Sequence, residues 1–264
     1  MLCLLTAALA LAGSGASGCR AHAAPPATPT PVLVELFTSE GCSDCPPADS
    51  LLASLVERQP VPGAQIIGLG LHVDYWDQLG WKDRFSSAAL TNRQQVYGVR
   101  FNLDSVYTPQ MIVDGRAQLV GSDAAAARRA IEQAAAAPHG TVRIEVESGT
   151  GGPKTVAVHV IADSLPSLGR GDRADVIVAI TEDRLRTEVK RGENHGRTLT
   201  HAAVVRSMTT IGRTAAEGPT TASAAIPIGD DWQRDQLKVV AFVQDPRGRA
   251  ILASASRPLQ NASR

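Results

Sequence analysis

Cys42 and Cys45, separated by Ser43 and Asp44, stand between an apolar run and a helix start, and that placement limits what the chain can become. Val32-Leu33-Val34-Glu35-Leu36-Phe37 is the short, mostly apolar run expected of a strand covered on both faces. Pro46 and Pro47 lack backbone donors, which the first turn of a helix does not use. A helix therefore opens there and sets Leu51, Leu52, Leu55 and Val56 on one face. At such a helix N-terminus, unsatisfied N–H groups and the dipole favour the thiolate, the form that attacks a disulfide. Cys42 is expected as the exposed nucleophile and Cys45 as the buried resolving thiol. The competing reading is a static bridge, although one closing so short a loop stabilises little. Asp44 disfavours a thiolate beside it and points to a less oxidising pair.

Further along, Ile66 to Val73 reads as a second buried strand, parallel to the first because a helix separates them. Residues 83 to 98 read as a helix. Thr108 to Gly115 reads as a strand closed by an Asp-Gly hairpin turn, Arg116 to Val120 as its return, and Ala124 to Ala137 as a final helix capped by Ser122-Asp123. The expected order is β-α-β-α-β-β-α over 32–139. From Thr141 the pattern changes to period-two alternation, as in Val142, Ile144 and Val146, with further runs at Val156 to Val160, Val176 to Ile180 and Val239 to Val243. That pattern predicts an all-β antiparallel sandwich-like domain of about seven strands over 140–264.

Other residues join the dithiol as candidates. Thr108-Pro109 precedes a strand where a cis-proline loop would face the sulfurs, which places Pro109 with Cys42 and Cys45 in the working centre. His72 and Asp74 end the second strand, where α/β sheets line their ligand crevice. Together with Asp44 and Thr108 they are candidates for a supporting shell or a proton relay. His72 with Cys42 and Cys45 would also suit Cu(I), an alternative to a site without metal. His195 and His201 are weaker ligand candidates, since Asn194-His195-Gly196 reads as an ordinary turn.

The 264 residues carry 26 Lys plus Arg against 26 Asp plus Glu, so no net field draws nucleic acid. No P-loop, HExxH, GxSxG or dinucleotide fingerprint occurs, and no cofactor is expected. Residues 1–24, with an apolar stretch from Leu2 to Ala12, read as a secretory signal. Ala16-Ser17-Gly18-Cys19 offers a lipobox in which Cys19 would be lipidated and tether the chain to a membrane, while Ala21-His22-Ala23 offers ordinary cleavage. Residues 25–31 read as a Pro-rich tether.

Taken together, Val34 to Asp49, His72 to Asp77, Tyr107 to Gln110 and Glu193 to Arg206 resemble a family of secreted bacterial proteins, domain-of-unknown-function family 1223. The resemblance implies a thioredoxin-like α/β domain followed by a β-rich one, and a redox role for Cys42, Cys45 and Pro109. No Trp precedes Cys42, and proline follows Cys45 instead of lying between the cysteines, so a thioredoxin's potential and partners do not transfer. The expected function is an exported thiol–disulfide oxidoreductase, periplasmic or secreted, acting on protein thiols and disulfides with an unidentified redox partner. The alternatives are a periplasmic Cu(I)-binding or delivery protein, and a non-enzymatic binding module with a structural disulfide.

Overall fold

The mostly apolar run from Val32 to Phe37 makes a strand buried on both sides, and its partners define the molecule. The computed structural model describes residues 28–148, 154–169, 172–215 and 218–259. The expected export signal, Cys19 and the first part of the tether lie outside the described residues. The described chain runs β1 (Thr30–Thr38), α1 (Pro46–Arg58), β2 (Ala64–His72), α2 (Ala88–Arg100), β3 (Gln110–Val113), β4 (Ala117–Val120) and α3 (Ala124–Ala135). It continues with β5 (Thr141–Ser148), β6 (Thr155–Asp163), β7 (Asp175–Glu182), β8 (Leu185–Glu188), β9 (Thr198–His201), β10 (Val204–Arg213), β11 (Thr220–Pro227), β12 (Leu237–Gln244) and β13 (Ile251–Pro258). Strand β1 begins at Thr30, inside the expected tether, because Thr30 and Pro31 pair with Ala64 and Gln65.

Alternation along β1 splits its side chains between two cores. Val32, Val34 and Leu36 pack with Leu52 and Leu55 of α1 and Ala127 and Ile131 of α3. Leu33 and Phe37 face the other way, toward Leu69 and Leu71 of β2, Tyr97 of α2 and Phe242 of β12. Phe242 comes from the far end of the chain, so the second core already joins the two halves.

The sheet order makes that junction explicit and overturns the expected fold class. Eight strands form one mixed sheet in the order β13-β12-β7-β10-β2-β1-β3-β4. The expectation of a thioredoxin-like β-α-β-α-β-β-α domain followed by a separate all-β sandwich is therefore incorrect. Strands β7, β10, β12 and β13, assigned to that sandwich, extend the sheet that contains β1 to β4. The joint is Gly70, which pairs in parallel with Val204 while its N–H donates to the Ala203 carbonyl at 2.7 Å. A side chain would obstruct this approach, since a Cβ on Gly70 would lie 3.2 Å from the Ala202 carbonyl oxygen. Periodicity identifies strands but does not say which ones pair, so the junction was invisible to it.

The remaining strands cover and decorate the large sheet. Order β11-β6-β5 makes a three-stranded sheet, and Ile144, Val156, Val158 and Val160 pack on Val176, Val178, Ile180 and Val239. Strands β8 and β9 form a separate two-stranded hairpin. Helix α2 starts at Ala88 and not at residue 83, because Asp83 is committed elsewhere: its carboxylate accepts the N–H groups of Glu40 and Phe85. Ser87 caps the helix by accepting the Leu90 N–H at 3.3 Å.

Candidate functional site

Strand β1 delivers the chain to Ser39, and a turn in which the Cys42 N–H donates to the Ser39 carbonyl leads to the dithiol. Cys42 and Cys45 are joined as a disulfide. Cys45 already has helical backbone angles and caps α1, its carbonyl accepting the N–H groups of Ala48 and Asp49 at 2.9 and 3.0 Å. The expectation of an exposed Cys42 does not hold: Cys42 is 1% exposed and Cys45 fully buried. Ser43 and Asp44, by contrast, form the exposed tip of the loop.

The second half of the chain reaches the dithiol loop. The β8–β9 hairpin closes through the Val189 N–H to the Arg197 carbonyl, and its tip lies on the dithiol loop. The Asn194 side-chain amide donates to the Glu40 carbonyl at 2.9 Å and to the Cys42 carbonyl at 2.8 Å. The neighbouring Glu193 carboxylate accepts the Ser43 N–H at 3.0 Å, and hydrogen bonds from Ser43 hold its pKa below the ordinary value. Arg197 donates to the Asn194 side-chain oxygen at 2.7 Å and fixes the amide's orientation. His195 is exposed on this tip, in the turn expected from its sequence.

On the other side, the Thr108–Pro109 bond is cis. The Gly121 N–H donates to the Pro109 carbonyl, and a Cβ on Gly121 would come within 3.0 Å of Pro109 Cβ and 3.2 Å of Ala48 Cβ. Pro109 therefore lies one small residue away from the first turn of α1. Trp76 links the loops: its indole N–H donates to Thr108 Oγ1 at 2.8 Å, and its Cβ packs beside Gly41. Asp74 is held elsewhere, accepting the Thr91 hydroxyl of α2 at 2.6 Å.

Behind the dithiol loop lies a buried group of ionisable side chains that sequence reasoning found only in part. His72 Nδ1 is 2.6 Å from Asp83 Oδ2, both fully sheltered. Burial opposes the charged imidazole, but Asp83 outweighs it and holds the His72 pKa above the ordinary value. The His201 ring stands edge-on to His72 with centroids 4.9 Å apart. His201 Nε2 lies 3.4 Å from Glu40 Oε1, and Nδ1 lies 3.8 Å from Asp49 Oδ2. Neither ring nitrogen of His201 makes a hydrogen bond, nor does Glu40 Oε1, although Glu40 Oε2 accepts the Trp81 indole N–H at 2.8 Å. Burial pushes the Asp49 carboxyl above the ordinary range against the pull of His201 and His72.

The structure thus places Cys42, Cys45 and Asp44 on one loop, sets Pro109 beside the start of α1 with Thr108 bonded to Trp76, ties His72 to Asp83, and leaves Asp74 bonded to Thr91 of α2. Glu40, Asp49, Asp83, His201, Glu193 and Asn194 were not foreseen as partners. One signal was present: Asp49 follows Cys45 by four residues, the spacing that stacks two side chains on one helix face. Among the described residues no group of three or more His, Cys, Asp or Glu is placed to hold a metal ion.

Two solved structures share the fold. A structural-genomics protein from Agrobacterium tumefaciens is 24% identical, with a TM-score of 0.66 over 90% of this chain and 98% of that one. HBP35 of Porphyromonas gingivalis is 14% identical, also with a TM-score of 0.66, over 89% of this chain and 77% of that one. No curated protein matches the sequence. The profile of a protein family of unknown function, DUF1223, matches residues 33–244, which is most of the chain, so the chain belongs to that family.

Proposed function

We propose that the chain is an exported thiol–disulfide exchange protein whose working group is the Cys42–Cys45 pair. The observation that carries this reading is the position of the pair: a two-cysteine loop closing on the N-terminus of α1, with cis Pro109 beside that helix's first turn. Developing negative charge on either sulfur would meet the positive end of the helix dipole. Cys42 is the sulfur attacked by an incoming thiolate and Cys45 the leaving sulfur, because Cys45 is the residue that caps α1 and meets the helix dipole most directly. The partners are protein thiols or disulfides and a separate reductant or oxidant. Export follows from the apolar segment Leu2 to Ala12 and its two processing patterns, with Cys19 as a membrane tether if it is lipidated.

Burial of both sulfurs favours a second reading, a permanent bridge that pins the loop for binding. Mixed-disulfide chemistry separates the two. With Cys45→Ser, glutathione disulfide should leave a stable glutathione adduct on Cys42, and with Cys42→Ser it should leave none on Cys45. A Cys45→Ser chain that stays folded and takes no adduct would support the permanent bridge.

A further inference from the structure

Opening a buried disulfide leaves a thiolate where water does not reach. An uncompensated buried charge is strongly disfavoured, so the leaving sulfur needs a proton from a neighbour. Cys45 is fully buried and begins α1 with helical angles, and the Asp49 N–H closes the first helical turn on its carbonyl. Side chains four apart on a helix lie on the same face. Asp49, 7% exposed, therefore shares a helix face with Cys45, one turn further along.

The company kept by Asp49 suits a carboxyl that carries a proton at rest. The buried group holds three carboxyls (Glu40, Asp49 and Asp83) and two imidazoles (His72 and His201). Asp83 is committed as an acceptor to His72, Glu40 and Phe85, and its pKa is held down, whereas Asp49 is pushed up by burial. Between those two, Asp49 is accordingly the carboxyl that takes a proton more readily. His201, 4% exposed and with both ring nitrogens free of hydrogen bonds, stands between Asp49 and Glu40.

We propose that the Asp49 carboxyl, held against His201, is the internal acid that protonates the Cys45 sulfur when the disulfide opens and recovers that proton when it closes. The proposal rests on the redox reading of the dithiol. With dithiothreitol as reductant, one thiolate attacks Cys42 Sγ and forms a mixed disulfide. The Cys42–Cys45 bond breaks, its electron pair stays on Cys45 Sγ, and the Asp49 proton neutralises it. The second thiolate of the reductant then attacks the reductant's own sulfur in the mixed disulfide, and Cys42 leaves. The reductant departs as a cyclic disulfide, two electrons have passed to the protein, and the two protons lost by the reductant are matched by those gained at Cys42 and, through Asp49, at Cys45. His201 acts as a positioning residue.

Reduction of the intact chain by dithiothreitol, followed by tryptophan fluorescence and normalised to reductant thiolate across acid to alkaline pH, tests this. Loss of one internal acid corresponds to a rate loss on the order of 100-fold. Asp49→Asn should show that loss together with disappearance of the falling limb that the wild type displays as Asp49 ionises. Asp49→Glu should restore part of the rate, and His201→Gln should move the midpoint of the limb. An Asp49→Asn chain with the wild-type normalised rate and profile would overturn the proposal. If Asp49→Asn fails to fold, unchanged profiles in both Asp49→Glu and His201→Gln would overturn it as well. A folded wild-type chain that dithiothreitol does not reduce would instead overturn the redox reading, so the two failures are distinct.

Discussion

Glu35 and Glu40 are both fully buried, five residues apart on the same stretch of chain, yet their carboxylates are served in opposite ways. Glu35 is saturated: Arg93 Nε donates to one oxygen and the Tyr97 hydroxyl to the other, each at 2.5 Å. Gln244 of β12 extends the network, accepting from Arg93 at 3.0 Å and donating to the Tyr97 hydroxyl at 2.9 Å. Glu40 has one oxygen on Trp81 and the other facing an imidazole that bonds to nothing. A closed network fixes geometry, whereas an unfilled one near a reacting bond leaves room for charge to move. The first rivets the two halves of the chain across the sheet, and the second adjoins the dithiol.

The contrast is breakable. Arg93→Met leaves the Glu35 charge buried without its partner and should cost about 3–5 kcal/mol in urea unfolding. It should leave the pH profile of dithiol reduction in place, and a stability loss below about 1 kcal/mol would show the network to be dispensable. Asn194→Ala removes both latching hydrogen bonds over the dithiol loop, a loss of about 2 kcal/mol at roughly 1 kcal/mol each. Its sharper sign is kinetic: thiol reduction of the disulfide should accelerate about tenfold or more, and an unchanged rate would show that the hairpin tip does not control access. Glu40→Gln keeps an acceptor for Trp81 and should cost less than about 1 kcal/mol, well under the loss at Arg93. Equal losses at the two sites would erase the comparison.

Another buried carboxylate, Asp114, supplies the smallest effect. His139 Nε2 lies 2.7 Å from Asp114 Oδ2, and that hydrogen bond holds the His139 pKa above its ordinary value. His72 is shifted in the same direction. A group whose pKa is raised in the folded state stabilises fully below its unfolded pKa and loses that contribution as pH rises through the folded value. Unfolding free energy should therefore decline as pH climbs above about 6.5, and His139→Gln should flatten part of the decline. A His139→Gln chain with the wild-type slope would remove the pair from the account.

Local chemistry was legible where one residue decides it. Pro46 and Pro47 open α1 because helix starts tolerate missing donors, and Asp114-Gly115 turns the β3–β4 hairpin because both residues take positive φ, 47° and 62°. Tertiary choices were not legible. Gly70 gave no sign that β10 would pair with it and fuse two expected domains into one sheet. Asn194 read as a turn residue and occupies a turn, yet its side chain reaches across to Cys42, which no local pattern encodes. His201 was visible as a histidine, but its place between Glu40 and Asp49 depends on where β9 docks on α1. The Asp49 spacing was written in the sequence and gained meaning only once Cys45 proved buried.

The equilibrium reduction potential of the Cys42–Cys45 pair, measured on the intact chain against a glutathione or dithiothreitol buffer, bears most directly on the central claim. The account predicts a value between about −300 and −120 mV, the span of exchange-active dithiols. A value well below about −300 mV, where structural disulfides lie, would contradict it.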